Sequence, residues 1–183
     1  KDLAKVEAHS HNYFEFYFFL EGDVSMQIGK HTYNVRSGDL MLIPPHTPHR
    51  LIIHSPKTPY RRFVFWISKN FCEHLSQLSS AYMYLINYVN EHKDYLFQMD
   101  PVSFNTLQSK MIRLLEEMHG ERYGKEEQIA LYISDFILYI NRLVYEQREP
   151  QTQAVNTSLY SNLVEYIEQH LDEELSLERL ADA

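Results

Sequence analysis

The chain has 183 residues, 44% hydrophobic and 23% charged, with 14 Tyr, 10 Phe and a single Trp. That is enough apolar material for one sizeable core and a satellite domain, and it excludes a disordered chain. A formal charge of −8 excludes a broad basic footprint for nucleic acid; the excess acid lies mainly in 158–183, where Arg179 alone faces seven carboxylates.

One cysteine, Cys72, excludes an internal disulfide and fits a reducing compartment. Its neighbours read as ordinary helix with no charged partner for a thiolate, so it is expected to be buried and inert. No apolar run is long enough to cross a bilayer. The protein is therefore read as cytoplasmic, with no membrane association.

Residues 1–67 read as strands. The run 13–20 is apolar or aromatic on both faces except at Glu15, so it is expected to be covered on both sides. Period-2 alternation puts Tyr13, Glu15, Tyr17 and Phe19 on one face and Phe14, Phe16 and Phe18 on the other. Strands at 24–28 and 32–35 flank Gly29 and Lys30, a two-residue hairpin turn with Gly first. A second turn at 37–39 precedes a strand at 40–43, which Pro44 and Pro45 end because proline cannot donate to a ladder. Strands at 50–54 and 61–67 follow, separated by a Pro-containing loop. Short strands with turn signals between them predict an antiparallel barrel or sandwich.

After Ser68 the period changes to that of helices, at 70–77 and 81–90. Asp100 and Pro101 mark another helix start, and 120–124 is a break. The segment 126–148 is the longest helix. Ile129, Ile133, Phe136, Ile137, Ile140 and Val144 make one apolar stripe, and Leu131, Leu138 and Tyr145 make a second at seven-residue steps. A surface helix needs only one stripe. The second predicts a partner helix, most simply from a homodimer, with Leu131, Leu138 and Tyr145 at the interface; a four-helix core without a partner is the alternative.

Residues 149–157 have the composition of a linker. Residues 158–171 are again helical by pattern, with Leu159, Leu163, Tyr166 and Ile167 on one face. Ser176 can cap a further helix from Leu177. The expectation is the opening of a second domain that continues past Ala183.

The candidate site lies in the first segment. His9, His11 and Glu15 share parity, and His49 stands at the start of a later strand. Neutral imidazoles and a carboxylate suit Zn, Fe, Mn or Ni. His11 and Glu15 are four residues apart, roughly 13 Å along a straight strand, so the strand must bend for all four to meet. Hydrogen-bonded residues at a barrel mouth, without metal, are the alternative. His11, Glu15, Tyr17 and His49, walled by Phe19 and Trp66, also offer polar groups on an aromatic lining, as a small-molecule site does. Whether Trp66 faces that lumen or the core cannot be read from parity alone. His46 is read as a loop residue, and His31 and His54 as ordinary strand or turn residues.

The span His9, His11, Glu15, Gly22, then Gly38, Pro44 and His49, resembles the cupin double motif. It departs at His46, where glycine is usual, and at Ile53, where asparagine is usual. Together with 163–171 and 175–181, the pattern is similar to AraC-type transcriptional regulators. The resemblance implies an α+β chain: a cupin-like antiparallel β-barrel (a double-stranded β-helix) over 1–67, a helical dimerisation region of the same domain over 68–148, a linker over 149–157, and the first helices of an all-α helix-turn-helix domain over 158–183. The helix from Leu177 would support a recognition helix lying beyond Ala183, so this chain would hold no DNA contact. The implied function is non-enzymatic: a small polar effector, a sugar for example, is sensed in the barrel and promoter DNA is bound by the C-terminal domain. A metal-dependent cupin enzyme, an isomerase or dioxygenase, is the alternative.

Overall fold

The computed structural model describes residues 7–55 and 57–149. The expected linker and the helices of 158–183 fall outside the described residues, apart from Glu149. The chain divides into units of 1–145 and 146–183, and both sheets and the candidate site belong to the first.

Among the described residues, seven strands form two antiparallel sheets: β1 (Phe14–Glu21), β2 (Val24–Ile28), β3 (His31–Asn34), β4 (Asp39–Ile43), β5 (His49–Ile53), β6 (Arg61–Ile67) and β7 (Leu96–Gln98). One sheet has the order β6-β1-β4-β7, the other β3-β2-β5. The described strands thus make two facing sheets rather than one hydrogen-bonded cylinder. The β2–β3 hairpin turns on Gly29, whose φ of 57° favours glycine, with Ile28 paired to His31 across it.

The two faces of β1 meet different surroundings, as its alternation requires. Phe14, Phe16 and Phe18 join Leu40, Leu42 and Phe97 under the helices. Tyr17 and Phe19 point between the sheets, against Val24, Met26, Ile28, Met41 and Ile43. Strand β7, absent from the sequence expectation, pairs with β4 and so draws the helical region into the first sheet.

Among the described residues, four helices cover the back of that sheet: α1 (Lys69–Leu78), α2 (Tyr84–His92), α3 (Pro101–His119) and α4 (Lys125–Arg148). Ser68 caps α1 by accepting from the Phe71 N–H. Asp100 caps α3 by accepting from Val102 and Ser103, with Pro101 in the first turn. Helix α2 begins later than its sequence pattern predicts because Ser79 first caps a short 3-10 turn, Ser80–Tyr82. Its first turn is instead met by Asn141 of α4, whose Oδ1 accepts from the Leu85 N–H at 2.7 Å.

The first stripe of α4 is buried at Phe136, Ile137, Ile140 and Val144. The second is not: Leu131 is 63% exposed and Tyr145 39%, while Leu138 is half-buried. Cys72 is buried among apolar side chains, and burial raises its thiol pKa to about 11. No helix among the described residues is long and apolar enough to cross a membrane.

Candidate functional site

The site forms where the chain passes from one sheet to the other. His9 lies across from His49, exchanging backbone hydrogen bonds of 3.0 and 2.9 Å with it, and so extends the β5 edge of the second sheet. The chain bends at 12–13 and enters β1 of the first sheet at Phe14. His9, His11 and Glu15 therefore do not share one strand, as their parity implied. The corner does what a straight strand could not, and brings His11 Nε2 to 2.7 Å from Glu15 Oε2. His46 secures it: its N–H donates to the His11 carbonyl at 2.7 Å. His46 holds φ at 61°, a left-handed conformation that glycine adopts more readily.

His49 enters from β5. Its Nε2 is 3.5 Å from the same Glu15 oxygen and is buried without a hydrogen-bond partner. The donor atoms of His11, Glu15 and His49 all lie within 4.8 Å of one another. His9 stands beside this trio rather than in it. Its ring packs on His49 at 4.4 Å between centroids, and its Nδ1 hydrogen-bonds to the Glu7 carbonyl at 3.2 Å.

Both histidines of the trio are oriented from behind. His11 Nδ1–H donates to the Tyr13 carbonyl at 2.9 Å, and His49 Nδ1–H to the Thr47 carbonyl at 2.9 Å. A carbonyl only accepts, so each Nδ1 carries the hydrogen; a ring that is neutral presents its Nε2 lone pair inward, and the 2.7 Å contact of His11 with Glu15 needs a proton between the two. Two lone pairs and a carboxylate then converge, an arrangement completed by a proton or a cation. This is the orientation that metal-binding imidazoles take, and two histidines with one carboxylate suit Zn, Fe, Mn or Ni. The orphaned His49 nitrogen fits that role.

The electrostatics agree. Burial pushes the Glu15 carboxyl upward, but the close imidazoles of His49 and His11, which stabilise the carboxylate when protonated, outweigh it and hold it below the usual range. Burial pushes His49 downward, and Glu15 together with the Thr47 carbonyl raises it above its ordinary value.

A cavity of about 170 Å³ opens beside the trio. Strand register explains its lining. Glu15, Tyr17 and Phe19 pair with Trp66, Val64 and Arg62 of β6, and directly opposed residues share a face. Trp66 therefore lies on the lumen side, at the rim, 68% exposed and packed on Tyr13 at 5.2 Å; Tyr13 in turn stacks on His11 at 3.9 Å. Phe19 belongs to the buried cluster between the sheets. Met26 and Leu51 line the wall contributed by the second sheet.

Two lining residues had no signal that singled them out, Tyr60 and Arg62. The Tyr60 hydroxyl hydrogen-bonds that of Tyr17, and Arg62 stacks over the Tyr60 ring at 4.9 Å. Gly22 makes room for this group: a Cβ there would lie 3.1 Å from Tyr60 and 3.5 Å from Phe19. Their parity in 60–66 was visible, but its inward direction is set by pairing with β1.

Residues 2–85 match the family of AraC-like ligand binding domains. The matched region holds β1 to β6 and α1, and with them the three converging side chains. No curated protein matches the chain. Among solved structures, Streptomyces albus HEPD, with its substrate 2-hydroxyethylphosphonate and Fe(II) bound, is 16% identical over 75% of this chain with a TM-score of 0.31. The chain spans 29% of the length of that protein.

Proposed function

We propose that the AraC-like domain senses a small polar effector in the cavity beside His11, Glu15 and His49, and that the full protein is a ligand-responsive, cytoplasmic regulator of transcription. The carrying observation is the convergence of those three side chains, two of which, Glu15 and His49, line a 170 Å³ cavity, within the span that matches a ligand-binding family. Glu15 and Tyr17 reach the effector. Phe14, Phe16 and Phe18, on the same strand, reach the helices. An effector that favours one arrangement of β1 shifts the population of helix arrangements by its difference in affinity for them. The signal passes to promoter DNA through a helix-turn-helix part that opens in 158–183.

Leu131, Leu138 and Tyr145 form the homodimer contact in this proposal. The exposure of Leu131 and Tyr145 on α4, opposite its buried stripe, supports it. Replacing Leu131 and Leu138 with Lys should give monomers in sedimentation experiments; a dimer that persists places the interface elsewhere.

His11, Glu15 and His49 would hold a divalent metal where one binds, and that metal would act as a Lewis acid toward an effector oxygen. The chain's own part is to fix both imidazole tautomers through Tyr13 and Thr47 and to keep Glu15 ionised.

The test uses full-length protein and its promoter. A metabolite extract should change DNA binding or transcriptional output, and Glu15→Ala should abolish that response while leaving effector-free DNA binding in place. If extract changes neither, the sensor role is wrong. A second reading, a metal-dependent cupin enzyme, rests on the same two-histidine, one-carboxylate set. Stoichiometric metal lost on His11→Ala, together with turnover of a substrate, would establish it in place of the sensor.

A further inference from the structure

Among the described residues, Arg62 is the one guanidinium on the cavity wall, and it has no part in the trio. It opposes Phe19 across the β1–β6 ladder and so projects from the lumen face of its strand. Its charge rests on the Tyr60 ring. Among the described residues it makes no ion pair, and the nearby carboxylate of Glu21 is taken by Arg61. A guanidinium carries five N–H donors in a fixed fork that matches a carboxylate.

The remaining wall points the same way. Glu15 is the only carboxylate among the described lining residues, and it is committed to His11 and His49. An organic cation would therefore have to compete with both histidines for Glu15, and would meet Arg62. Tyr17 and Tyr60 hold two hydroxyl hydrogens between them. Their mutual bond uses one, which leaves the other to donate to a ligand oxygen. Met26, Leu51 and Val64 offer a short apolar surface. At about 30 Å³ per water, a volume of about 170 Å³ admits a ligand the size of roughly five or six waters.

We propose that the effector is a small organic anion, a short carboxylate with a second oxygen function, whose carboxylate docks on Arg62 and the Tyr17–Tyr60 hydroxyl pair while the second oxygen faces Glu15 and His49. This rests on the effector-sensing function proposed for the same cavity and narrows its ligand to one class. A metal held by the trio would add positive charge to the same space and strengthen the preference.

Trp66 provides the readout, because it is the sole tryptophan and stands at the cavity rim. The probes are lactate, its neutral isostere lactamide, and glycerol, titrated against the full chain with and without a stoichiometric divalent metal. Lactate should change Trp66 emission saturably, and lactamide should bind about 10- to 100-fold more weakly, the worth of one charge-assisted pair. Arg62→Gln should weaken lactate far more than lactamide and so close most of the gap between them, and Arg62→Lys should restore part of the difference. Circular dichroism checks that each variant is folded. Equal binding of lactate and lactamide, stronger binding of glycerol, or unchanged lactate affinity in Arg62→Gln would each overturn the assignment. So would the absence of any lactate response. In all these cases the broader sensor function is decided separately, by whether metabolite extract alters promoter binding.

Discussion

One strand, β1, does two different jobs on its two faces. Phe14, Phe16 and Phe18 look outward into a dry cluster shared with all four helices. Glu15 and Tyr17 look inward, where side chains hold protons, lone pairs and a small cavity. The outer face is satisfied by area removed from water, which is insensitive to pH or ligands. The inner face is satisfied by directional partners, and one of them, His49 Nε2, still lacks its own. Stability and recognition are thus placed a single residue apart, and a change on one face should leave the other legible.

The largest expected effect tests that separation. Phe16 is 1% exposed, and Phe16→Ala should cost about 3–5 kcal/mol of unfolding free energy by the lost transfer and the cavity left behind. Urea titration measures it. Glu15→Gln should cost far less stability while removing metal or effector binding. If the two variants destabilise equally, β1 does not divide its work by face.

The same alternation explains what the sequence made visible. The 61–67 strand agrees with the bounds of β6, and the faces of 14–19 fall as their period requires, because burial on both sides leaves only apolar residues free to alternate. The hairpin at Gly29 was visible because its turn needs a positive φ at its first position. Strand β7 was not visible: three residues carry no period, and the pairing of Leu96 with Met41 is what makes them a strand. The convergence of His11 and Glu15 was suspected from residue type, but the bend that produces it depends on His9 pairing with His49 on the other sheet. That same pairing takes His9 out of the trio. Tyr60 and Arg62 were illegible for a related reason, since a strand's parity tells which residues share a face but not which face is inward until the register with β1 is known.

An intermediate effect tests whether the helical side is held by more than hydrocarbon. Asn141 is buried, and it joins α4 to the start of α2 by accepting from the Leu85 N–H while donating to the Ile137 carbonyl at 2.7 Å. Asn141→Leu keeps the volume but strands a buried N–H, at a cost of about 1–3 kcal/mol. The loss should appear in urea titration, and amide exchange at Leu85 should speed up. A neutral result would mean that packing alone seats α2.

The smallest effect is a matter of pH, and it separates the faces most sharply. In chelator-treated protein, Glu15 has a lowered pKa, so its contribution is present above the normal carboxylate range and is lost as pH falls through the depressed value. His49 has a raised pKa, so its contribution is full below the normal imidazole value and is lost as pH rises through the elevated one. Both are therefore in place between about pH 4.5 and 6.5. The stability difference between wild type and Glu15→Gln should peak in that window and shrink on either side, whereas the deficit of Phe16→Ala should stay level across it. Above the elevated His49 pKa the inner face holds an ionised Glu15 against a His49 lone pair, the state in which added divalent metal should raise the melting temperature most. A difference curve that is flat for Glu15→Gln would mean that the three side chains do not act as one charge-sharing group, and that the inner face is as indifferent to protons as the outer.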